Sequence, residues 1–309
     1  MPTKTLSRRS PALATMLGKV IPARYLPKAL TAPRPLVPVV PLHGAIGVSP
    51  FPGQSGLSLA GVVAQLEAAF EAKGAVAVAL LINSPGGSPA QSHLIHQRIR
   101  ALAGEHKRPV FAFIEDVGAS GGYMLACAAD EIFADPTSVV GSIGVVSAGF
   151  GLTGLIEKLG IERRIYTAGH SKAMLDPFMP EREEEVVRLK ELQADVHESF
   201  IALVKASRRE RLTGSDEDLF SGAFWTGRKA LGLGLIDGLG DVRSTLRERF
   251  GEEVDLRLVP AARRGGLLRA LLPNLSGGAA LPDGRISLID ADNLINALET
   301  RALWGRYGL

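Results

Sequence analysis

The first part of this chain alternates continuous apolar runs with segments of helical periodicity, and that rhythm narrows the folds open to it. Leu36 to Leu42 reads as a first strand despite its prolines, and Val76 to Ile82 and Val110 to Ile114 are unbroken apolar runs. A strand with no polar alternation is buried on both faces, as in a sheet covered by helices on either side. Between the runs, Ser58 to Ala72 carries Leu59, Val62, Val63, Leu66 and Phe70 at helical spacing, and Gln91 to Leu102 is a second helix. Strand, helix, strand, helix in this order predicts an α/β layered domain with mostly parallel strands.

Further along, Ile132 to Ala134, Ile143 to Val146 and Arg163 to Thr167 are expected as short strands. Glu181 to Arg209 is expected as a long charged helix, with Val186, Leu189, Leu192, Val196, Phe200 and Leu203 as one apolar stripe. Its acidic start suits the positive end of a helix dipole. Thr226 to Leu233 and Asp241 to Phe250 are shorter helices. From Pro260 onward glycine- and arginine-containing linkers surround short apolar segments, and Leu288 to Leu303 is expected as an amphipathic helix. The chain thus divides into an arm over 1–34, a main domain over 35–255 and an extension over 256–309.

Charge is unevenly spread. No acidic residue precedes Glu67, whereas the arm carries Lys4, Arg8, Arg9, Lys19, Arg24, Lys28 and Arg34. Charges and prolines interrupt every stretch long enough for a signal peptide or a membrane-spanning helix. Ser10-Pro11 is placed to start a short amphipathic helix from Ala12 to Ile21, which suits peripheral contact with an anionic membrane surface. A disordered or subunit-docking arm is the alternative. The expected location is the cytoplasm or the periphery of the inner membrane. The single cysteine, Cys127, lies in a small-residue apolar run and reads as a core residue in a reducing compartment. Neither a metal-ligand cluster nor a phosphate-loop lysine pattern appears, so neither a metal nor a cofactor is implied, and nucleic acid is not an expected partner.

The chemistry is concentrated in three glycine turns: Asn83-Ser84-Pro85-Gly86-Gly87, Gly118-Ala119-Ser120-Gly121-Gly122-Tyr123 and Gly141-Ser142-Ile143-Gly144. Ser120 follows a buried strand and opens a small-residue helix. A serine at such a corner exposes its hydroxyl beside free backbone N–H groups, the geometry of an acyl-transfer nucleophile. The same pattern also makes ordinary turns. A serine nucleophile needs a base, and the residue types open to that role are histidine, lysine and an indirectly acting carboxylate. No histidine occurs between His106 and His170, and His93 and His96 read as surface or packing residues. Lys172 lies in the turn-rich segment before the long helix. Alone it reads as a solvated surface charge, because lysine is so rarely buried.

Taken together, these turns, Lys172 with Asp176-Pro177-Phe178, and Gly232-Leu233-Gly234-Leu235-Ile236-Asp237 occur in an order that closely resembles the signal peptide peptidase A family of serine peptidases, the SppA and SohB types. The resemblance covers roughly Leu36 to Phe250. It implies a ClpP/crotonase-type fold of repeated ββα units, with layered sheets and surrounding helices. It further implies a Ser–Lys dyad, with Ser120 as nucleophile and Lys172 as general base at the spacing of the short, single-domain form. By the same resemblance Ser142 orients the lysine, and Gly86 or Gly87 together with Gly121 donates to the oxyanion. Its substrates would be peptides with small or apolar side chains, such as cleaved signal peptides. Its assembly would be a ring-like homo-oligomer in which one site draws on neighbouring subunits.

Ser142 as a plain turn residue remains open, as does Asp176 as a cap of its loop or as a partner of Lys172. Three rival functions are distinguishable. A Clp-type protease needs a histidine where Val145 to Gly149 has none. A crotonase-like acyl-CoA enzyme needs neither Ser120 nor Lys172. An inactive scaffold or membrane-associated adaptor keeps the fold without the dyad.

Overall fold

The structure, a computed structural model, describes residues 34–47, 56–169, 171–260 and 301–308. The proposed helix at Ala12–Ile21 and most of the segment from Leu288 to Leu303 lie outside the described residues.

The three apolar runs form the centre of the sheet. Strands β1 (Leu36–His43), β2 (Val78–Ser84) and β3 (Val110–Ala119) pair in parallel, with helices α1 (Leu59–Glu71) and α2 (Pro89–His106) as the crossovers. The remaining described elements are α3 (Gly121–Ala126), β4 (Glu131–Ala134), β5 (Val139–Gly141), α4 (Thr153–Lys158), α5 (Glu183–Arg208), α6 (Asp216–Leu219), β6 (Phe224–Thr226), α7 (Gly227–Gly232), β7 (Gly238–Leu239), α8 (Val242–Phe250) and β8 (Asp255–Leu258). The sheet order is β6-β5-β3-β2-β1-β8, with β4 beside β3 and β7 beside β4. Among the described strands only the β5–β6 pair is antiparallel.

Both faces of this sheet are covered, which is why its strands read as apolar runs without alternation. On one face Val40, Leu42, Leu80, Ile82 and Ala112 pack with Leu66 and Phe70 of α1, Ile95 and Ile99 of α2, and Leu125 of α3. On the other, Val37, Val39, Ala79, Phe111 and Phe113 pack with Leu246 of α8. The ring of Phe111 meets that of Phe250 edge-on at 5.9 Å. Each large side chain so buried contributes about 1.5–3 kcal/mol relative to exposure.

The main strands continue past their ends into a second, shorter ladder. Beyond β1, Ile46 bridges Gly87, which lies beyond β2. Within β3 the first part, Phe111 to Ile114, pairs with β4, whereas Val117 to Ala119 pairs with β5. The two parts are separated by the exposed pair Glu115 and Asp116. Asn83 holds this irregularity: its amide donates to Asp116 at 2.7 Å and its oxygen accepts the Val117 N–H at 3.3 Å. Strand, short second-ladder segment and helix thus repeat, as expected for ββα units.

Several expectations fail. Ile143 to Val146 is not a strand. The ladder ends at Gly141, Ser142 takes a positive φ of 53°, and its N–H goes to the carbonyl of Ala223 at 2.7 Å. Beyond it no described strand offers partners. Arg163 to Thr167 likewise forms no strand, because it is largely exposed, with Tyr166 92% exposed, and has no neighbouring ladder. The long helix is present, but its apolar stripe is buried only toward its C-terminal end, at Phe200 and Val204, while Leu192 is exposed. Among the described residues, no helix is long and apolar enough to cross a membrane.

Candidate active site

Ser120 sits where β3 passes into α3. It takes φ 52° and ψ −122°, a conformation strained for a residue with a side chain. The surroundings over-determine it. Its N–H donates to the Gly141 carbonyl at 2.8 Å, and its own carbonyl accepts from Met124 at 3.0 Å. Its hydroxyl makes no hydrogen bond among the described residues, and the side chain faces a cavity of about 560 Å³.

The glycines of the first turn are required by close approach. A Cβ on Gly86 (φ 100°) would stand 2.7 Å from the Ser120 Cβ and 2.8 Å from the Gly121 nitrogen. One on Gly87 (φ 140°) would stand 2.2 Å from the carbonyl oxygen of Ile46. The first turn is therefore pressed against the serine turn by the second ladder. In the helix start, Gly121 leaves room for the Ser92 hydroxyl and Gly122 for the Ser84 carbonyl.

The two glycines of the first turn differ in their donors. The Gly86 N–H is taken by the Ser84 hydroxyl at 3.2 Å. The N–H groups of Gly87 and Gly121 have no partner among the described residues, and Gly87 lines the Ser120 cavity.

Ser142 lines the same cavity and is buried. Its hydroxyl accepts a hydrogen bond from the Tyr307 hydroxyl at 3.2 Å. The fold thus brings together Ser120, Ser142, Gly86, Gly87 and Gly121. It does not bring Lys172 to them within this one chain. Lys172 is exposed, donates its backbone N–H to Gly169 at 3.2 Å, and does not line the cavity. Asp176 is engaged elsewhere: it accepts from Arg163 at 2.9 Å and caps the Phe178 N–H at 2.9 Å. The arginine and then the cap hold its carboxyl below the usual range. Of the two readings left open for Asp176, the structure supports the cap.

Three residues at the cavity carried no sequence signal. His197, on α5, donates from Nε2 to the Ile143 carbonyl at 3.1 Å and so props the turn that carries Ser142. Leu303 and Arg306 line the cavity from far along the chain. Long-range placement of this kind has no local pattern to reveal it.

A second buried polar cluster backs the site without entering it. Arg208, 1% exposed, donates to both carboxylate oxygens of Asp237 at 2.8 and 2.9 Å, and Asp237 also accepts the Ile132 N–H. Tyr123 donates its hydroxyl to the Leu235 carbonyl at 2.6 Å. Burial pushes the Cys127 thiol up to about 12, so it stays protonated and inert.

A strained serine at a strand-to-helix corner, beside backbone N–H groups without partners among the described residues, is an arrangement that suits acyl transfer through an oxyanion hole. Residues 103–256 match the family model described as Peptidase family S49. The chain is 50% identical to a Brucella abortus protein named Na(+)/H(+) antiporter NhaA, over 99% of this chain and 41% of that protein. It is 32% identical to a putative signal peptide peptidase SppA of Enterococcus faecium, over 57% of this chain and 51% of the relative. A solved structure of a membrane-bound stomatin-specific protease with a substrate peptide is similar at 16% identity and a TM-score of 0.46, covering 78% of this chain and all of the other. The chain thus spans about half or less of the length of these two curated relatives.

Proposed function

We propose that this chain is a serine endopeptidase that hydrolyses peptides through a Ser120–Lys172 dyad. The observation that carries the reading is the convergence of the strained Ser120, whose hydroxyl has no partner among the described residues, with the N–H groups of Gly87 and Gly121, which likewise have none there. In this mechanism Ser120 Oγ attacks the scissile carbonyl while neutral Lys172 takes the hydroxyl proton. The oxyanion forms against Gly87 and Gly121, because the Gly86 N–H is committed to Ser84. One such donor is worth about 3 kcal/mol of transition-state stabilisation. The protonated lysine gives its proton to the leaving amine, and water then hydrolyses the acyl-enzyme. Ser142 orients the lysine amine.

Lys172 lies outside the cavity of its own chain, and the segment around it exposes Val146, Phe150, Leu159, Ile161 and Tyr166. Both features support a homo-oligomer, ring-like as the family resemblance implies, in which Lys172 reaches the Ser120 of a neighbouring subunit. The substrates in this reading are peptides with small or apolar side chains, among them cleaved signal peptides. The chain works in the cytoplasm or at the inner-membrane periphery, and the basic arm over 1–34 supports the second location.

A fluorophosphonate probe with mass spectrometry tests the reading. Labelling at Ser120 and peptide hydrolysis, both lost in Ser120→Ala, with hydrolysis also lost in Lys172→Ala, support it. An oligomer that neither labels nor hydrolyses would favour the scaffold reading instead. Mixing Ser120→Ala with Lys172→Ala subunits tests sharing between subunits, since recovered activity requires the two residues to meet across an interface.

A further inference from the structure

Residues 301–308 form a helical turn at the mouth of the Ser120 cavity, remote in sequence from everything else that lines it. The turn is supported by its own bonds, Arg306 to Ala302 at 3.2 Å and Tyr307 to Trp304 at 2.9 Å. Leu303 and Arg306 line the cavity. The Tyr307 ring stands edge-on against Phe224, with centroids 5.1 Å apart and planes at 76°. Its hydroxyl reaches Ser142 Oγ. Phe224 lies opposite Gly141 in the β5–β6 pair, so the ring is anchored beside the turn that holds Ser120 through Gly141.

We infer that segment 301–308 is a self-inhibitory strap that occupies the peptide cleft and takes the Ser142 hydroxyl. The inference rests on the Ser120–Lys172 reading for its consequence and on the contacts above for its geometry. A phenol at Ser142 Oγ fills the space through which a lysine amine would approach that hydroxyl. It also uses one of the two lone pairs the oxygen offers. A peptide chain and the lysine amine therefore enter only when Tyr307 leaves. The strap holds through one neutral hydrogen bond, one aromatic pair and modest apolar contact, so its release is easy and graded. Anything that draws 301–308 away opens the site.

The test uses the full chain with Tyr307→Ala and Tyr307→Phe, together with a fluorescent peptide of the sequence Arg-Ala-Leu-Trp-Gly-Arg-Tyr-Gly. Losing the hydrogen bond and the aromatic pair together should raise fluorophosphonate labelling of Ser120 and kcat/KM on a short apolar peptide about tenfold. Tyr307→Phe, which keeps the ring, should fall between wild type and Tyr307→Ala. The fluorescent peptide should bind Tyr307→Ala more tightly than wild type, and Tyr307→Ala with Phe224→Ala more weakly than Tyr307→Ala alone. Equal peptide binding by wild type and Tyr307→Ala overturns the strap, as does unchanged or slower labelling of Tyr307→Ala in an enzyme that does label. Absence of labelling and hydrolysis in all forms, with the binding order kept, removes the peptidase reading and leaves the strap standing.

Discussion

Ser120 donates its backbone N–H to the carbonyl of Gly141 at 2.8 Å, so the turn bearing the proposed nucleophile and the turn bearing Ser142 are joined by one hydrogen bond. Ser120 and Ser142 both carry positive φ, 52° and 53°. Two adjacent strained serines persist because the β3–β5 ladder and the bond from Ser142 to Ala223 hold the backbone on either side. Lys107, Leu175 and Arg209 also carry positive φ, but Ser120 and Ser142 are the two such residues that line one cavity.

Replacing the reacting groups should separate chemistry from folding. Ser120→Ala and Lys172→Ala are each expected to abolish peptide hydrolysis while the thermal midpoint and the assembly state stay near those of wild type. Full activity in a purified Lys172→Ala sample would rule out the dyad.

Gly87→Ala should damage both stability and activity. The added Cβ would lie 2.2 Å from the Ile46 carbonyl oxygen, a backbone atom that cannot step aside, at a φ of 140°. Strain of about 1–3 kcal/mol is expected, with loss of turnover beyond that of the folded fraction because the proposed oxyanion donor moves. Urea unfolding alongside kcat measurement distinguishes the two effects.

Arg208 and Asp237 stabilise the layer behind the site. Removing Arg208 takes the bidentate partner from a partly buried carboxylate that keeps Arg211 and the Ile132 N–H, which costs about 1.5–3 kcal/mol. Arg208→Leu should therefore lower the denaturation midpoint sharply, whereas Arg208→Leu with Asp237→Leu should recover part of the loss. An unchanged midpoint in Arg208→Leu would contradict the pair's structural role.

Acid should weaken the fold partly through His96. Burial lowers the imidazole to about 4, and its Nδ1 has no partner among the described residues. The folded state thus favours the neutral ring, while the unfolded chain takes up a proton below about 6.5. Stability is lost as pH falls from that value toward 4, by at most about 3 kcal/mol. His96→Gln should flatten this part of the stability–pH curve, measured by urea titration at pH 7, 5.5 and 4.5. An unaltered slope would mean that other groups carry it.

Filling between sheet and helix is predicted to be unforgiving at Ile99, fully buried against the central strands. Ile99→Ala should cost about 2–5 kcal/mol. A loss under 1 kcal/mol in chemical denaturation would show that the α2 interface repacks.

Much of the α/β framework was legible because its signals are local. The apolar runs that end at Ile82 and Ile114 lie in strands covered on both faces, and an unbroken run of that kind says so directly. The α1 face with Leu66 and Phe70 follows from its periodicity. Ile143 to Val146 was misread for a related reason: its residues suit a strand, but a strand exists only where a neighbour supplies hydrogen bonds. The edge strands β6, β7 and β8 escaped notice because they are two to four residues long and defined by their partners.

The sequence by itself determined the glycine turns, the serine between them and the order of motifs, because each depends on residue type and short-range backbone freedom. The tertiary structure decided what those motifs face. It committed the Gly86 N–H to Ser84, left the Gly87 N–H without a partner among the described residues, and set Tyr307 against Ser142 across more than half the chain. It also kept Lys172 away from Ser120 in the single chain. Contacts of that kind depend on how layers pack at a distance, and no local pattern encodes them.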